Sequence, residues 1–193
     1  MTALKNLTEQ ALIALIREGD EHAIAEFLNR YKGRFYTAAY LLVKDRDLAE
    51  DIFQDACVKI IQSIRAGRYQ DDGKFLPWAM RITRNLCYDH LRAAKRAPRV
   101  TLPDGQDIFA LLDMGEHNAE DRIMSRQSGD RVRQMLDHIP HEQREVIVLR
   151  MYGNLSFKEI AELTDVGINT ALGRMRYGLI NLRKLMQEKR LAL

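Results

Sequence analysis

The chain is short of the features that would give it chemistry of its own. It has only two cysteines, Cys57 and Cys87, in 193 residues. Neither has partners at metal-ligand spacing, and two cysteines make no disulfide framework. Both sit in helical patterns, so they are expected to be buried free thiols in a reducing cytoplasm. No window approaches the roughly 20 uninterrupted apolar residues of a membrane span, so no membrane insertion is expected. The opening MTALKNLTEQ lacks the basic start and apolar core of a secretory signal. There is no Gly-rich phosphate loop, no nucleophile elbow and no HExxH. The five histidines are scattered, with His138 and His141 flanking Pro140. These absences argue against an enzyme, and nothing in the chain asks for a metal or a cofactor. Period-two alternation is missing over any useful length, so the chain reads as all-α. Its 46% hydrophobic and 30% charged residues suit one domain or two small ones.

What is present concentrates in the stretch from Leu155 to Leu185. Ser156, with Glu159 three residues on, makes a capping box for a short helix. Ile160, Ala161 and Leu163 supply its apolar face. Asp165-Val166-Gly167 breaks the pattern. A longer helix runs from about Ile168, with Ala171, Met175, Gly178, Leu182 and Leu185 in one buried stripe. The opposite face carries Thr170, Arg174, Tyr177, Asn181 and Lys184. A short helix, a sharp turn and a longer helix with an exposed polar face form the helix-turn-helix plan, whose second helix can enter a major groove. An ordinary helical hairpin with a solvated face is the alternative, and charge argues against it. From Val166 onward there are six basic residues and one acidic, a net +5.

Charge is segregated elsewhere too. Lys74 to Arg99 holds seven basic residues and one acidic, a net +6, so of the total +3 the rest of the chain must carry −8. Two concentrated basic helices on an acidic remainder suggest two contacts with nucleic acid and a separate protein partner.

Taken in order, Thr8 begins a short helix closed by Gly19, and Asp20 caps the next. Ile24, Phe27, Leu28, Tyr31, Phe35, Ala38, Ala39 and Leu42 hold the helical period along that second helix. Asp47 and Glu50 start a third, with Leu48, Ile52, Phe53, Ala56, Ile60 and Ile64 inside. On its other side Asp51, Gln54, Asp55 and Val58 line up. They could dock a basic helix of another protein, although spacing alone favours a solvated face. Ala66 to Lys74 is a loop, and its one aromatic, Tyr69, has little core to join. Pro77 suits the first turn of a helix to about Arg96. That helix packs through Trp78, Ala79, Ile82, Leu86 and Leu91. It exposes Arg81, Arg84, Asn85, Tyr88, Arg92 and Lys95. Cations bind phosphates, tyrosine stacks on an unpaired base and asparagine pairs with a base edge, which suits a single-strand or distorted-duplex surface; a cationic solvated helix is the alternative. Residues 97 to 119 hold two prolines, two glycines and four acids against one base. This is a linker and the domain boundary, although Ile108 to Leu112 is too apolar for a free tether. Asn118 caps the next helix, Pro140 ends it, and Glu142 to Tyr152 forms another, closed by Gly153.

The segments Asp47 to Ile60, Phe75 to Arg92 and Ile139 to Leu185, in this order and spacing, resemble bacterial sigma factors. With no further domain before or between the two helical units, the chain is most similar to the extracytoplasmic-function (ECF) subfamily. The resemblance spans nearly the whole chain. It implies a region 2-like helical domain over residues 1–97, a linker over 98–119, and a four-helix region 4-like domain with the helix-turn-helix over 120–193. It implies a cytoplasmic protein that binds core RNA polymerase and promoter DNA and is open to control by an anti-sigma factor. On that resemblance Asp51, Gln54, Asp55 and Val58 grip the polymerase. Tyr69, Arg81, Arg84, Asn85, Tyr88, Arg92 and Lys95 hold, read and melt the downstream promoter element. Asn169, Thr170, Leu172, Arg174, Tyr177, Asn181 and Lys184 read the upstream element. Three features depart from the family pattern. Ala171-Leu172-Gly173 replaces a common Val-Lys-Ser, so Leu172 could touch a thymine methyl where a lysine is usual. Gly167 stands where Ser or Pro commonly opens the recognition helix, and Asp165 where a turn glycine is usual. A free-standing helix-turn-helix regulator with an N-terminal sensing or dimerising domain is the competing reading. The +6 basic-aromatic helix counts against it, because a sensor domain has no need of one.

Overall fold

The computed structural model describes residues 4–70, 72–96 and 135–188, apart from the side chains of Lys5, Lys95 and Arg96. The linker over 98–119 and the Asn118 cap lie outside the described residues. All regular structure among the described residues is helical. A short 3-10 turn, Leu4–Asn6, precedes α1 (Glu9–Glu18), α2 (Glu21–Val43), α3 (Arg46–Arg65) and α4 (Phe75–Arg96). After the linker come α5 (His141–Met151), α6 (Phe157–Thr164) and α7 (Ile168–Glu188).

The helix ends follow from local chemistry. Thr8 caps α1, its hydroxyl accepting from the Ala11 N–H at 3.2 Å. Gly19 closes α1 at φ 92, a left-handed conformation that glycine adopts without steric penalty. The next residue, Asp20, caps α2 by accepting from the His22 and Ala23 N–H groups at 2.8 and 3.1 Å. The start of α3 differs from expectation. It is capped by Asp45, which accepts from the Leu48 N–H at 2.9 Å, so the helix begins at Arg46. Asp47 sits in the first turn, where an acid favours the positive end of the helix dipole without forming the cap.

Helices α1 to α4 enclose an aromatic cluster. Phe27, Phe35 and Phe75 are fully buried, and the Phe27 and Phe75 rings meet edge-on at 5.3 Å. Helix α5 has six consecutive buried residues, the polar Arg144 and Glu145 followed by Val146, Ile147, Val148 and Leu149. It is covered on one side by α7 and on another by α2. Gly178 makes the α5–α7 approach possible: a Cβ there would lie 2.8 Å from Ile147 Cδ1 and 3.3 Å from Gln143 Cβ. The expected capping box of α6 is present. Ser156 Oγ accepts from the Glu159 N–H at 3.2 Å, and Glu159 Oε2 accepts from the Ser156 N–H at 2.8 Å. Asp165 ends α6 in a left-handed conformation, φ 54, that opens the turn into α7.

The two helical units pack on each other. Gly153, in the turn after α5, lies so close to α4 that a Cβ would stand 2.6 Å from Met80 Cγ. Among the described residues, three ion pairs cross the junction: Lys44 with Asp137 at 3.6 Å, Lys74 with Glu159 at 3.8 Å, and Arg84 with Glu145 at 2.8 Å. Arg144 is buried at the start of α5, where its Nη1 lies 3.7 Å from Asp137 Oδ1 and its Nη2 donates to His141 Nδ1 at 3.3 Å, while its Nε has no hydrogen-bond partner among the described residues. Among the described residues, no helix is long and apolar enough to cross a membrane.

Candidate nucleic-acid interface

Three surfaces carry the residues singled out in the sequence. On α3 the stripe forms as expected. Asp51, Gln54 and Asp55 are exposed, and Val58 is 51% exposed, an apolar end to an acidic ridge. Ile52, Ala56 and Ile60, on the inner side of the same helix, are fully buried. Cys57 is buried beside them, and desolvation pushes its thiol up to about 12. Cys87 is fully buried in α4, and desolvation pushes its thiol up to about 12 as well.

On α4 the expected stripe divides. Asn85 and Arg92 are exposed and Arg81 is half-buried. The Lys95 side chain lies outside the described residues. Arg84 and Tyr88 are not on a free surface, because α5 covers them. Arg84 Nε and Nη2 both reach Glu145 Oε1, at 2.9 and 2.8 Å, with the two side chains only 12% and 4% exposed. The Arg84 guanidinium lies 3.9 Å over the Tyr88 ring. The Tyr88 hydroxyl bonds to His141 Nε2 at 2.8 Å. Burial first, and then the Glu145 carboxylate, raise the Tyr88 phenol above its usual range. The covering residues, His141 and Glu145, escaped the sequence reading. Local pattern shows Glu145 only as a polar position beside an apolar run; that it pairs with an arginine 61 positions earlier is a tertiary fact.

Tyr69 is a correction. It is 3% exposed, with its ring centroid 4.5 Å from Trp78 and 5.6 Å from Phe75. Its loop folds back under α4, and Arg17 Nη2 holds its carbonyl at 3.1 Å. The exposed side chains of that loop include Arg68 and Gln70.

On α7, Ala171 and Gly178 are buried and Met175, Leu182 and Leu185 pack against the core, as the stripe predicts. Asn169, Thr170, Tyr177 and Lys184 are exposed, and Arg174 is half-buried. Asn181 is the second correction: its Nδ2 donates to Gln143 Oε1 of α5 at 2.9 Å, so it braces the helix pair. Leu172, 43% exposed, lies on the other flank of α7. There it lines an open apolar cleft with Phe157, Leu179 and the rims Arg176 and Arg183. The seven upstream-reading candidates therefore do not share one face.

The α6 cap is electrostatically reinforced. Burial pushes the Glu159 carboxyl up, but the Ser156 N–H and hydroxyl, with the charges of Lys74 and Arg81, outweigh it and hold the group below its usual range. Among the described residues, no group of three or more His, Cys, Asp or Glu could hold a metal ion.

Comparison with known proteins follows the same division. A family model described as Sigma-70 region 2 matches residues 27–97, and one described as Sigma-70, region 4 matches residues 129–171. The ECF RNA polymerase sigma factor SigW of Bacillus subtilis is 28% identical over 91% of this chain and 95% of its own length. The ECF sigma-E factor of Escherichia coli K12 is 25% identical over 89% and 90%. Among solved structures, CnrH bound to the cytosolic domain of CnrY superposes with a TM-score of 0.60 at 20% identity, covering 93% of this chain and 97% of that one. The sigma factor RpoE of Bartonella quintana, in complex with the anti-sigma factor NepR, also gives 0.60 at 20% identity, covering 84% and 96%.

Proposed function

The chain belongs to the sigma-70 family, as a sigma factor of the extracytoplasmic-function type, and from that membership we propose how its surfaces divide the work. The protein lends promoter recognition to core RNA polymerase and acts by binding, in the bacterial cytoplasm, without catalysis of its own. The observation that carries this is the order of the two matched regions in one chain, region 2 and then region 4.

Residues 1–97 form the unit that binds polymerase and opens DNA. The ridge of Asp51, Gln54, Asp55 and Val58 on α3 is its polymerase contact. An acidic, exposed helix face suits a basic partner helix, and the exposed valine gives it an apolar anchor. Asn85, Arg81 and Arg92 read and hold the separated strand, with the exposed part of the loop over 66–74. Arg84 and Tyr88 join them once α5 is displaced. Residues 98–119 join the two units, and residues 120–193 read the upstream element through α7. Asn169 and Thr170 stand at the end of α7 that approaches base edges in helix-turn-helix docking. Arg174 can pair bidentately with guanine, and Lys184, further along, meets phosphate. An anti-sigma protein is a fitting third partner.

The direct test is charge reversal on α3. Asp51→Arg with Asp55→Arg should abolish capture by core polymerase while circular dichroism stays unchanged, since both side chains are exposed. Full retention of a folded double variant in the pull-down would remove this surface from the account.

A further inference from the structure

The loop over residues 66–74 is held by a side chain from the first helix. Arg17, in the last turn of α1, donates from Nη2 to the Tyr69 carbonyl at 3.1 Å, across 52 residues of sequence. That carbonyl shares a rigid peptide plane with the Gln70 N–H. Holding it fixes the direction in which the chain leaves Tyr69. The Tyr69 ring is buried, while Arg68 and Gln70 on either side of it are exposed. We propose that Arg17 is a positioning residue for base recognition: through the Tyr69–Gln70 peptide it sets where Gln70 meets the separated strand.

This inference rests on the assignment of the exposed part of that loop to DNA. Three observations carry it. First, α1 is a firm base for Arg17. Leu12, Ile13 and Ile16 are buried under it. Arg30 of α2 donates to the Leu4 and Leu7 carbonyls at 2.7 and 2.8 Å, tying down the chain that enters α1. Second, the start of the loop is fixed but its later course is not. Helix α3 closes with the Arg68 N–H on the Ser63 carbonyl at 2.9 Å and the Gly67 N–H on the Ile64 carbonyl at 3.0 Å, a glycine-based helix stop. The Tyr69 N–H reaches the same Ser63 carbonyl at 3.4 Å, and there these bonds end. The Tyr69 ring sits on Trp78 and Phe75, but single bonds join it to the backbone, so it anchors the loop without aiming the next peptide. The Arg17 bond supplies the aim. Third, the chemistry of Gln70 needs an aim. Its amide both donates and accepts, so it can pair with the edge of an unpaired base. Such bonds weaken steeply when misaligned, whereas a cation attracts phosphate from many directions.

The test uses the full chain assembled with purified core polymerase. The probe is a promoter library randomised over the upstream and melted blocks, with transcript starts sequenced. Arg17→Met keeps an aliphatic stem at an exposed position and removes the donors. It should lose roughly fivefold or more of the wild-type preference at one position of the melted block, the low end of what one amide–base pair discriminates. Preference in the upstream block and capture of core polymerase should stay as in the wild type. Gln70→Ala should flatten the same position, and the double variant should lose no more than Gln70→Ala alone, because Arg17 acts through Gln70. Thr8→Ala removes the cap of α1 but leaves the Arg17 bond, so it should destabilise the helix and keep the preference. The positioning role is overturned if Arg17→Met keeps the wild-type preference, or if the two losses add. It is equally overturned if Arg17→Met weakens all sequences alike, which is the mark of a phosphate contact, or if Thr8→Ala flattens the same position. Starts from the wild-type chain with no preference in the melted block would remove the loop's assignment to DNA, and this inference with it. A wild-type preference that survives Arg17→Met would remove this inference alone.

Discussion

Replacing Tyr69 by alanine separates a packing role from a DNA role. The ring is 3% exposed, wedged between Trp78 and Phe75 at 4.5 and 5.6 Å. Truncation would empty a site walled by two large aromatics and the foot of α4. Large aromatic-to-alanine changes in such sites cost about 3–5 kcal/mol, the transfer loss and the residual cavity together. For a chain of this size each kcal/mol is worth roughly 2–4 °C, so the melting temperature should fall by roughly 6–20 °C. The backbone contact from Arg17 to the Tyr69 carbonyl does not depend on the side chain, so the loss should come from the ring. Tyr69→Phe keeps the ring and should lose no more than about 0.5–1.5 kcal/mol, the worth of one hydrogen bond. Thermal and urea unfolding of the two variants give the answer. The reasoning fails if Tyr69→Ala melts like the wild type while promoter opening by the holoenzyme collapses, because the ring would then be working on DNA and not on Trp78.

Other consequences can be checked with equal economy. Arg174→Ala should cost about 1–3 kcal/mol and relax preference at one upstream-element position, whereas Lys184→Ala should weaken all sequences alike and lower the salt slope by about one. A randomised-element competition at several salt concentrations that found the reverse would mean α7 lies the other way in the groove. Cys57 and Cys87, buried and with thiols pushed up to about 12, should resist Ellman's reagent near neutral pH until the chain unfolds. Rapid stoichiometric reaction of the native protein would show that one of them is open. Glu159 is held below its usual range. Its contribution should be complete above the unfolded value of about 4.3 and disappear as pH falls through the folded value. The stability gap between wild type and Glu159→Gln should accordingly narrow in acid, and a gap that widened would reverse the sign assigned to the cap.

Much of this fold could be read from local chemistry. The Thr8 and Asp20 caps, the Gly19 stop and the Ser156–Glu159 box each depend on residues within a turn of one another, and all four are present. The α3 ridge was legible for the same reason, since helical spacing fixes which side chains share a face. Asp45 was missed because an acid-rich helix start offers several caps, and only backbone geometry selects one. What sequence could not show was what each outward face meets. The α4 stripe is polar and periodic, so it reads as solvated, yet Arg84 and Tyr88 end on Glu145 and His141. Tyr69 looked stranded in a loop because Trp78 and Phe75 come after it in the chain. Asn181 shared a helical face with Thr170 but lies near the edge of the buried stripe, where Gln143 captures it.

The central claim is that this chain directs RNA polymerase to promoters. Its most direct test is transcription by purified bacterial core polymerase on a random promoter library, with and without the chain, followed by sequencing of transcript starts. The account predicts starts that appear only with the chain and share two sequence blocks, one upstream and one at the melted region. They should vanish with Asp51→Arg combined with Asp55→Arg. Starts unchanged by the chain, alongside tight sequence-specific binding of the chain alone to duplex DNA, would contradict it and point to a free-standing regulator.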